Sequence, residues 1–375
     1  MKSKVLILLL TILCDAQLRA QDSLNTQTEP IIYTGIYNQI PPSFNYPAIG
    51  VVNIANGNQK SAQVGFTNIV GGKMGGAQIG FSNTVGAEAQ GAQVGFVNTV
   101  KENVNGVQAG FVNISMQHLD GVQAGYINYT NLCAKGVQAG FINLVGQSSE
   151  GVQAGFINLV PSCLIGAQVG FVNVVKDSVN GVQTGFVNIS KGKVQGSQIG
   201  FINICDSISK GLPIGFLSIV KQGGYYGLEI SYNELFAYNL ALKIGVKNLY
   251  TSFAIGYSNE FKNKFAAGFG IGSLLSLSAN NKWFINPELM QYSNLEKFTR
   301  QYAQLSTSLG INFNSISLKA GPTFVWSHIN KTSLNDGLRQ SLEKPTYTFG
   351  SKQINDRNLI HIGAKVSLVY NFGNN

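Results

Sequence analysis

The sequence predicts an all-β chain: a β-solenoid of 15-residue coils, followed by an antiparallel barrel of eight strands. Two periodicities and one absence lead to it. A tag of the form Gly-x-Gln-x-Gly-Phe-x-Asn returns every 15 residues from about residue 48 to 219, with no insertion or deletion. A fixed period of this kind is the signature of a repeat architecture. After Lys221 the tag stops, and segments of 9–14 residues alternate apolar and polar side chains with strand periodicity. Nothing in residues 21–375 approaches the run of about 20 apolar residues that a transmembrane helix needs.

The order along the chain is a signal peptide (1–20), a leader or cap (21–47), a repeat domain (48–219) and a barrel domain (220–375). Lys2 and Lys4, the apolar run Val5 to Leu13 and the small Ala20 form the export signal. Cys14 offers a lipidation alternative, although Leu13 before it is bulkier than a lipobox normally tolerates. Loss of Lys2, Lys4 and Arg19 against Asp15 lowers the net charge from +9 to +7. No Lys/Arg cluster accompanies that excess, so no nucleic-acid partner is expected. Residues 21–47 are polar and carry Pro30, Pro41, Pro42 and Pro47.

Twelve repeat units follow, and the second glycine of the tag runs from Gly50 to Gly215 in unbroken phase. Gln108, Gly110, Phe111 and Asn113 represent the four near-invariant columns. Gly125, Tyr126 and Asn128 repeat them one unit on, and Gly140, Phe141 and Asn143 two units on. A further column six residues before the glycine is mostly apolar, including Met74, Val104, Leu119 and Leu164. Each unit is therefore expected to be a closed coil stacked on its neighbours. Phenylalanines are expected to fill the interior, asparagines to form a ladder at a corner, and the glycine to allow a close backbone approach. An antiparallel arrangement, with each unit as one strand of a larger barrel, is the alternative.

The tag resembles that of surface-repeat proteins of Gram-negative bacteria, which carry Gly-x-Gln-x-Gly-Phe/Leu-x-Asn arrays. That resemblance covers roughly residues 48–219 and implies an envelope location without a defined activity. The hexapeptide Gln93 to Asn98 is also similar to the curlin repeat of bacterial amyloid fibres, which implies self-association through stacked ladders.

Eight strand-like segments are read near 224–234, 235–248, 249–258, 264–277, 282–292, 301–314, 315–328 and 358–372. In the second, Phe236, Tyr238, Leu240, Leu242, Ile244 and Val246 are expected to face outward. Glu229, Lys243, Glu288, Lys319, Lys365 and His361 are read as inward. An apolar exterior, a polar interior, tight turns near Asn248 and Asn314 and a long polar loop over 329–357 resemble a small outer-membrane β-barrel. With eight strands, inward side chains fill the lumen, so an anchor is expected and not a pore. A soluble barrel or sandwich is the alternative.

Little in the sequence suggests catalysis. His118, His328 and His361 share no metal-ligand spacing and no Cys-x-x-Cys occurs, so neither a metal nor another cofactor is expected. Gly268-Phe-Gly-Ile-Gly272 lacks the spacing and helix of a dinucleotide site. The mature chain keeps Cys133, Cys163 and Cys205, an odd number that argues against a disulfide framework. Cys133 and Cys163 occupy one repeat phase two units apart, about 9.6 Å in a stack of coils about 4.8 Å apart. That is too far to bridge, and these two are expected to be buried fillers. The expected function is non-enzymatic: an exported outer-membrane or cell-surface protein presenting a repeat scaffold, with membrane lipid and an unidentified surface ligand or protein as partners. An outer-membrane enzyme or small-molecule carrier using the barrel interior, with His361 as its one candidate base, and a curlin-like fibre subunit are the alternatives.

Overall fold

The computed structural model describes residues 32–373 apart from 43, 259–263, 296–299, 330–344 and 346. The signal segment, Cys14 and part of the 329–357 loop lie outside the described residues. All regular elements among the described residues are strands. The chain forms two compact units, Met1–Val160 and Pro161–Asn375.

In the first unit each repeat makes one coil of a parallel β-solenoid. The strands Val104–Ser115, Leu119–Thr130 and Ala134–Val145 pair side by side, so that Gln108 faces Gln123 and Gly110 faces Gly125. The register is a uniform shift of 15 residues, because every column must meet its own copy. The leader obeys the same rule. Tyr33–Ile40 pairs in parallel with Ala48–Ala55, placing Gly35 on Gly50 and Asn38 on Asn53. It is thus a further coil, without the tag's glutamine and phenylalanine, that covers the start of the stack.

The second unit holds the coil strands Leu164–Val175, Val179–Ser190 and Lys193–Cys205, stacked in the same register. A last, interrupted coil, Pro213–Ile214 and Leu217–Val220, pairs on Lys193–Cys205. The barrel follows in this unit. Its strands are Tyr225–Asn233, Tyr238–Val246, Leu249–Tyr257, Phe265–Gly272, Trp283–Asn294, Arg300–Phe313, Ile316–Ile329 and Asn358–Asn371. All neighbours are antiparallel, and the first strand pairs with the last from Gly227–Asn371 to Asn233–Lys365, which closes the sheet.

Two details depart from the sequence reading. Phe236 does not face outward: Leu235 and Phe236 fold into the barrel and are buried. The Asn233 carboxamide oxygen accepts their backbone N–H groups at 2.9 and 2.8 Å, which turns this connection inward. The region read as a long polar loop also contains the strand Gly350–Asn355, paired on the start of the last barrel strand.

Candidate functional site

Fifteen residues enclose a narrow interior, and four columns occupy it. Two are mostly apolar, exemplified by Val104 and Val100 with Ser and Thr in some coils, and two are the amides, exemplified by Gln108 and Asn113, all essentially fully buried. Phenylalanine is not among them, contrary to the expectation. Phe111, Tyr126 and Phe141 are 44, 44 and 39% exposed. The reason lies in the backbone. Between neighbouring coils the pairing runs through Gly110–Gly125 and resumes at Val112–Ile127, skipping Phe111 and Tyr126. The chain turns a corner there, so strand alternation changes phase. Gln108 and Asn113, five residues apart, both point inward, and the intervening ring points out.

The buried amides bond to their own copies along each ladder, and at the end of the glutamine ladder Gln198 Oε1 is left without a partner. Asn98 Nδ2 donates to Asn113 Oδ1 at 2.8 Å, and Asn113 Nδ2 to Asn128 Oδ1 at 2.9 Å. The second Nδ2 hydrogen of Asn113 is donated to the Ala124 carbonyl of the adjacent coil at 3.0 Å. Gln108 Nε2 donates backwards, to Gln93 Oε1 at 2.8 Å, and also to the Ile114 carbonyl at 3.2 Å. The asparagine ladder runs up the stack and the glutamine ladder down it, so their amide dipoles oppose one another. Ser218 and Pro213 occupy the two columns in the last coil. Asn203 donates to Ser218 Oγ at 3.4 Å, while Pro213 has no amide to extend its ladder.

The invariant glycine is the space these ladders need. A Cβ on Gly125 would lie 2.0 Å from the Gly110 carbonyl oxygen and 2.6 Å from Asn113 Nδ2. The close approach expected from sequence is therefore present. The first glycine of the tag shares that close approach, a Cβ on Gly121 lying 2.0 Å from the Gly106 carbonyl oxygen, and adds a φ of +149° that disfavours any side chain.

Outside, the rings form a continuous stack within each unit. Phe111 and Tyr126 are 4.9 Å apart and 3° from parallel, and Phe186 and Phe201 4.9 Å and 6°. Exposed Val and Ile residues such as Ile79, Val94 and Ile199 flank them. Large contiguous apolar surfaces of this kind mark interaction sites.

The barrel inverts the usual polarity. Aliphatic side chains such as Leu228, Leu240, Ile255, Leu289, Leu305 and Leu368 stand exposed on its outer wall. Exposed aromatics ring both ends: Tyr232, Tyr238, Phe265 and Trp326 at one, Trp283, Phe313, Tyr370 and Phe372 at the other. Inside, all five charged residues read as inward meet in one buried cluster. Lys319 Nζ lies 2.8 Å from Glu229 and 2.9 Å from Glu288; Lys365 Nζ lies 2.7 and 2.9 Å from the same two carboxylates. Lys243 bridges both glutamates as well. Tyr250 OH donates to Glu288 at 2.7 Å and accepts from Asn286 Nδ2 at 2.7 Å. Next to this cluster, Leu235, Phe236, Met290, Tyr292, Tyr302 and Val325 pack as an apolar core. These groups fill the lumen, as expected of a closed barrel of eight strands.

His361 is buried inside the same barrel. Its Nε2 lies 3.9 Å from Glu234, which accepts a hydrogen bond from Thr323 Oγ1 at 2.5 Å. Among the described residues neither ring nitrogen of His361 has a hydrogen-bond partner, serine included. His118 and His328 are elsewhere: His118 Nδ1 accepts the Cys133 N–H at 3.4 Å, and His328 Nδ1 lies 2.9 Å from Asn358 Oδ1. Among the described residues no three metal-ligating side chains come together. At the barrel rim an open cleft of about 410 Å³ is lined by Lys247, Lys282, Asn280, Asn281, Asn312 and Tyr226, among others.

The cysteines divide. Cys205 is buried in the column that Val100 and Val145 hold in other coils. Cys133 and Cys163 are half-exposed instead, because they sit in the variable turn where side chains reach solvent; all three are free thiols. Sequence reasoning missed the exposed aromatic stack, although the five-residue spacing between two polar columns already signalled a corner. Scans against protein-family models, curated proteins and solved structures each returned no match to this chain.

Proposed function

We propose that this is a non-enzymatic bacterial envelope protein whose barrel sits in an outer membrane and whose coils form a scaffold for surface architecture, adhesion or partner binding. One observation carries the reading: a closed barrel with an aliphatic outer belt, aromatics at both rims and a neutralising ionic interior. Aliphatic surface of this extent is costly in water and favourable in lipid. The tight turns at 247–248 and 314–315 lie at the end of the barrel where the coils join. Short turns of outer-membrane barrels face the periplasm, so the reading places the repeats on the inner side of that membrane. The last coil rests on the barrel, with Phe216 against Phe253 and Phe269. That favours a scaffold complete in one chain over a fibre subunit growing from both ends.

Two measurements test this. The protein extracted in detergent should migrate faster before boiling than after; extraction into buffer without detergent overturns the membrane reading. Protease added to intact cells should leave the repeats uncut, and digestion should begin only once the outer membrane is permeabilised.

A further inference from the structure

We propose that the aromatic stack on the coils adjoining the barrel is a lipid-contacting edge, seated in the interfacial region of the leaflet that surrounds the short-turn end of the barrel. The inference rests on the outer-membrane reading above and adds a second membrane-contacting surface to it.

The stack does not end with the repeats. Phe201 lies 4.7 Å from Phe216, and Phe216 then stacks on Phe269 at 4.9 Å and 14° and meets Phe253 edge-on at 5.0 Å. Phe253 and Phe269 are paired residues on the outer wall of the barrel. The apolar surface of the coils therefore passes without a polar break into the belt that lipid would cover.

The contacts also fix which edge of the coil points toward the middle of the barrel. Val220 exchanges hydrogen bonds with Tyr226 OH, at 3.0 and 2.8 Å, and the Gly215 carbonyl accepts from Thr251 Oγ1 at 3.0 Å. Tyr226 and Thr251 stand on one rung of the wall, both opposite Ile244. Phe253 is two residues farther from the rim, about 7 Å along a strand. Among the hydrogen bonds and ring contacts between coil and wall, those of the ring thus reach farthest from the rim. Successive rings repeat that position, and Phe186, Phe201, Ile199 and Ile214 present 41–45% of their surface on the same edge. A barrel in a bilayer holds this edge at the depth where amphipathic elements bury their apolar side.

The test uses the full-length protein in phosphatidylethanolamine/phosphatidylglycerol vesicles, with or without bromine on the acyl chains as a contact quencher. The wild-type tryptophans, Trp283 and Trp326, lie on the outer wall and report the barrel itself. Phe201→Trp in a Trp283→Phe/Trp326→Phe background reports the stack, and Lys191→Trp in that background reports the variable turn. Barrel insertion of each variant is checked by heat-modifiable migration. The expected result for the Phe201→Trp variant is about a twofold loss of emission in brominated lipid, comparable to the wild-type tryptophans, as acyl-chain contact requires. Emission from the Lys191→Trp variant should be unaffected. Quenched wild-type tryptophans beside an unquenched Phe201→Trp variant overturn the lipid-contacting edge and leave the membrane barrel standing. If the Phe201→Trp variant is unquenched and the protein also self-associates, a second copy covers the edge, and the proposal fails in that way. Unquenched wild-type tryptophans overturn the membrane reading itself.

Discussion

Coils and barrel both bury polar side chains in a β interior, but they use opposite chemistry to do it. The coils bury only neutral polar side chains, chiefly amides. The barrel buries three lysines and two glutamates in one cluster. Translation explains the difference. In a stack with a 15-residue period every inward group meets a copy of itself in the adjacent coil. A carboxylate or an ammonium would then stand against its own charge, whereas a carboxamide both donates and accepts and so pairs with its copy. The barrel has no such repeat, and a glutamate on one strand can meet lysines on three others. Self-complementarity is the rule for one interior and complementarity for the other.

The sharpest break of this comparison is in the barrel. Glu288→Leu leaves three buried lysines with Glu229 as their remaining carboxylate. Removing one partner of a buried ionic group costs about 3–5 kcal/mol, so the heat-modifiable form should melt at a markedly lower temperature. Glu288→Gln should lose less, because it still accepts hydrogen bonds. An unchanged melting temperature for Glu288→Leu would mean that the ionic cluster does not hold the barrel closed.

A break in the coils should be smaller and local. Asn128→Ala removes the acceptor of Asn113 Nδ2, the donor to Asn143 Oδ1 and the donor to the Ala139 carbonyl. Buried groups left unsatisfied in this way cost about 1–3 kcal/mol. Hydrogen exchange should accelerate in the coils on either side of residue 128, with the barrel amides unaffected.

Smaller still is the expected effect of Phe141→Ala. A buried phenylalanine would cost about 3–5 kcal/mol on truncation. An exposed ring that stacks on two neighbours should cost about 0.5–1.5 kcal/mol. Chemical denaturation separates the two values, and the larger one would return the aromatic column to the interior.

That contrast also shows what the sequence makes legible. Lys243, Glu288 and Lys365 are readable as inward because a barrel strand keeps one alternation over its full length. Phe111 is misread when the same alternation is carried across a corner, where the pairing skips a residue. The asparagine ladder and the close approach at the second glycine are readable, since only stacking gives those columns a purpose. The Gly350–Asn355 strand is not, because its hydrogen bonds to the last barrel strand leave little trace in a short polar segment. The inward fold of Leu235 and Phe236 depends on a side-chain cap by Asn233, a tertiary detail that hydrophobic pattern alone does not encode.

The finest probe of the coil interior is Cys205, which takes a place in a column of small apolar and hydroxyl side chains. Burial, with a smaller contribution from the neighbouring Asp206 charge, raises its thiol from 9.0 to about 12. A native thiol held neutral by its surroundings reacts slowly with alkylating agents. At pH 8, Cys133 and Cys163 should therefore be labelled while Cys205 is spared until the coils unfold. The pH dependence follows from the sign of the shift. Because the folded value is the higher one, this stabilisation is fully present below pH 9 and is lost as pH rises from there toward 12. Cys205→Val should remove that alkaline loss and leave stability at neutral pH nearly unchanged, since valine fills the same column in other coils. Labelling of Cys205 at the rate of the other two thiols would place it outside the ladder-lined interior and undo the contrast between the coil's dry core and its exposed turns.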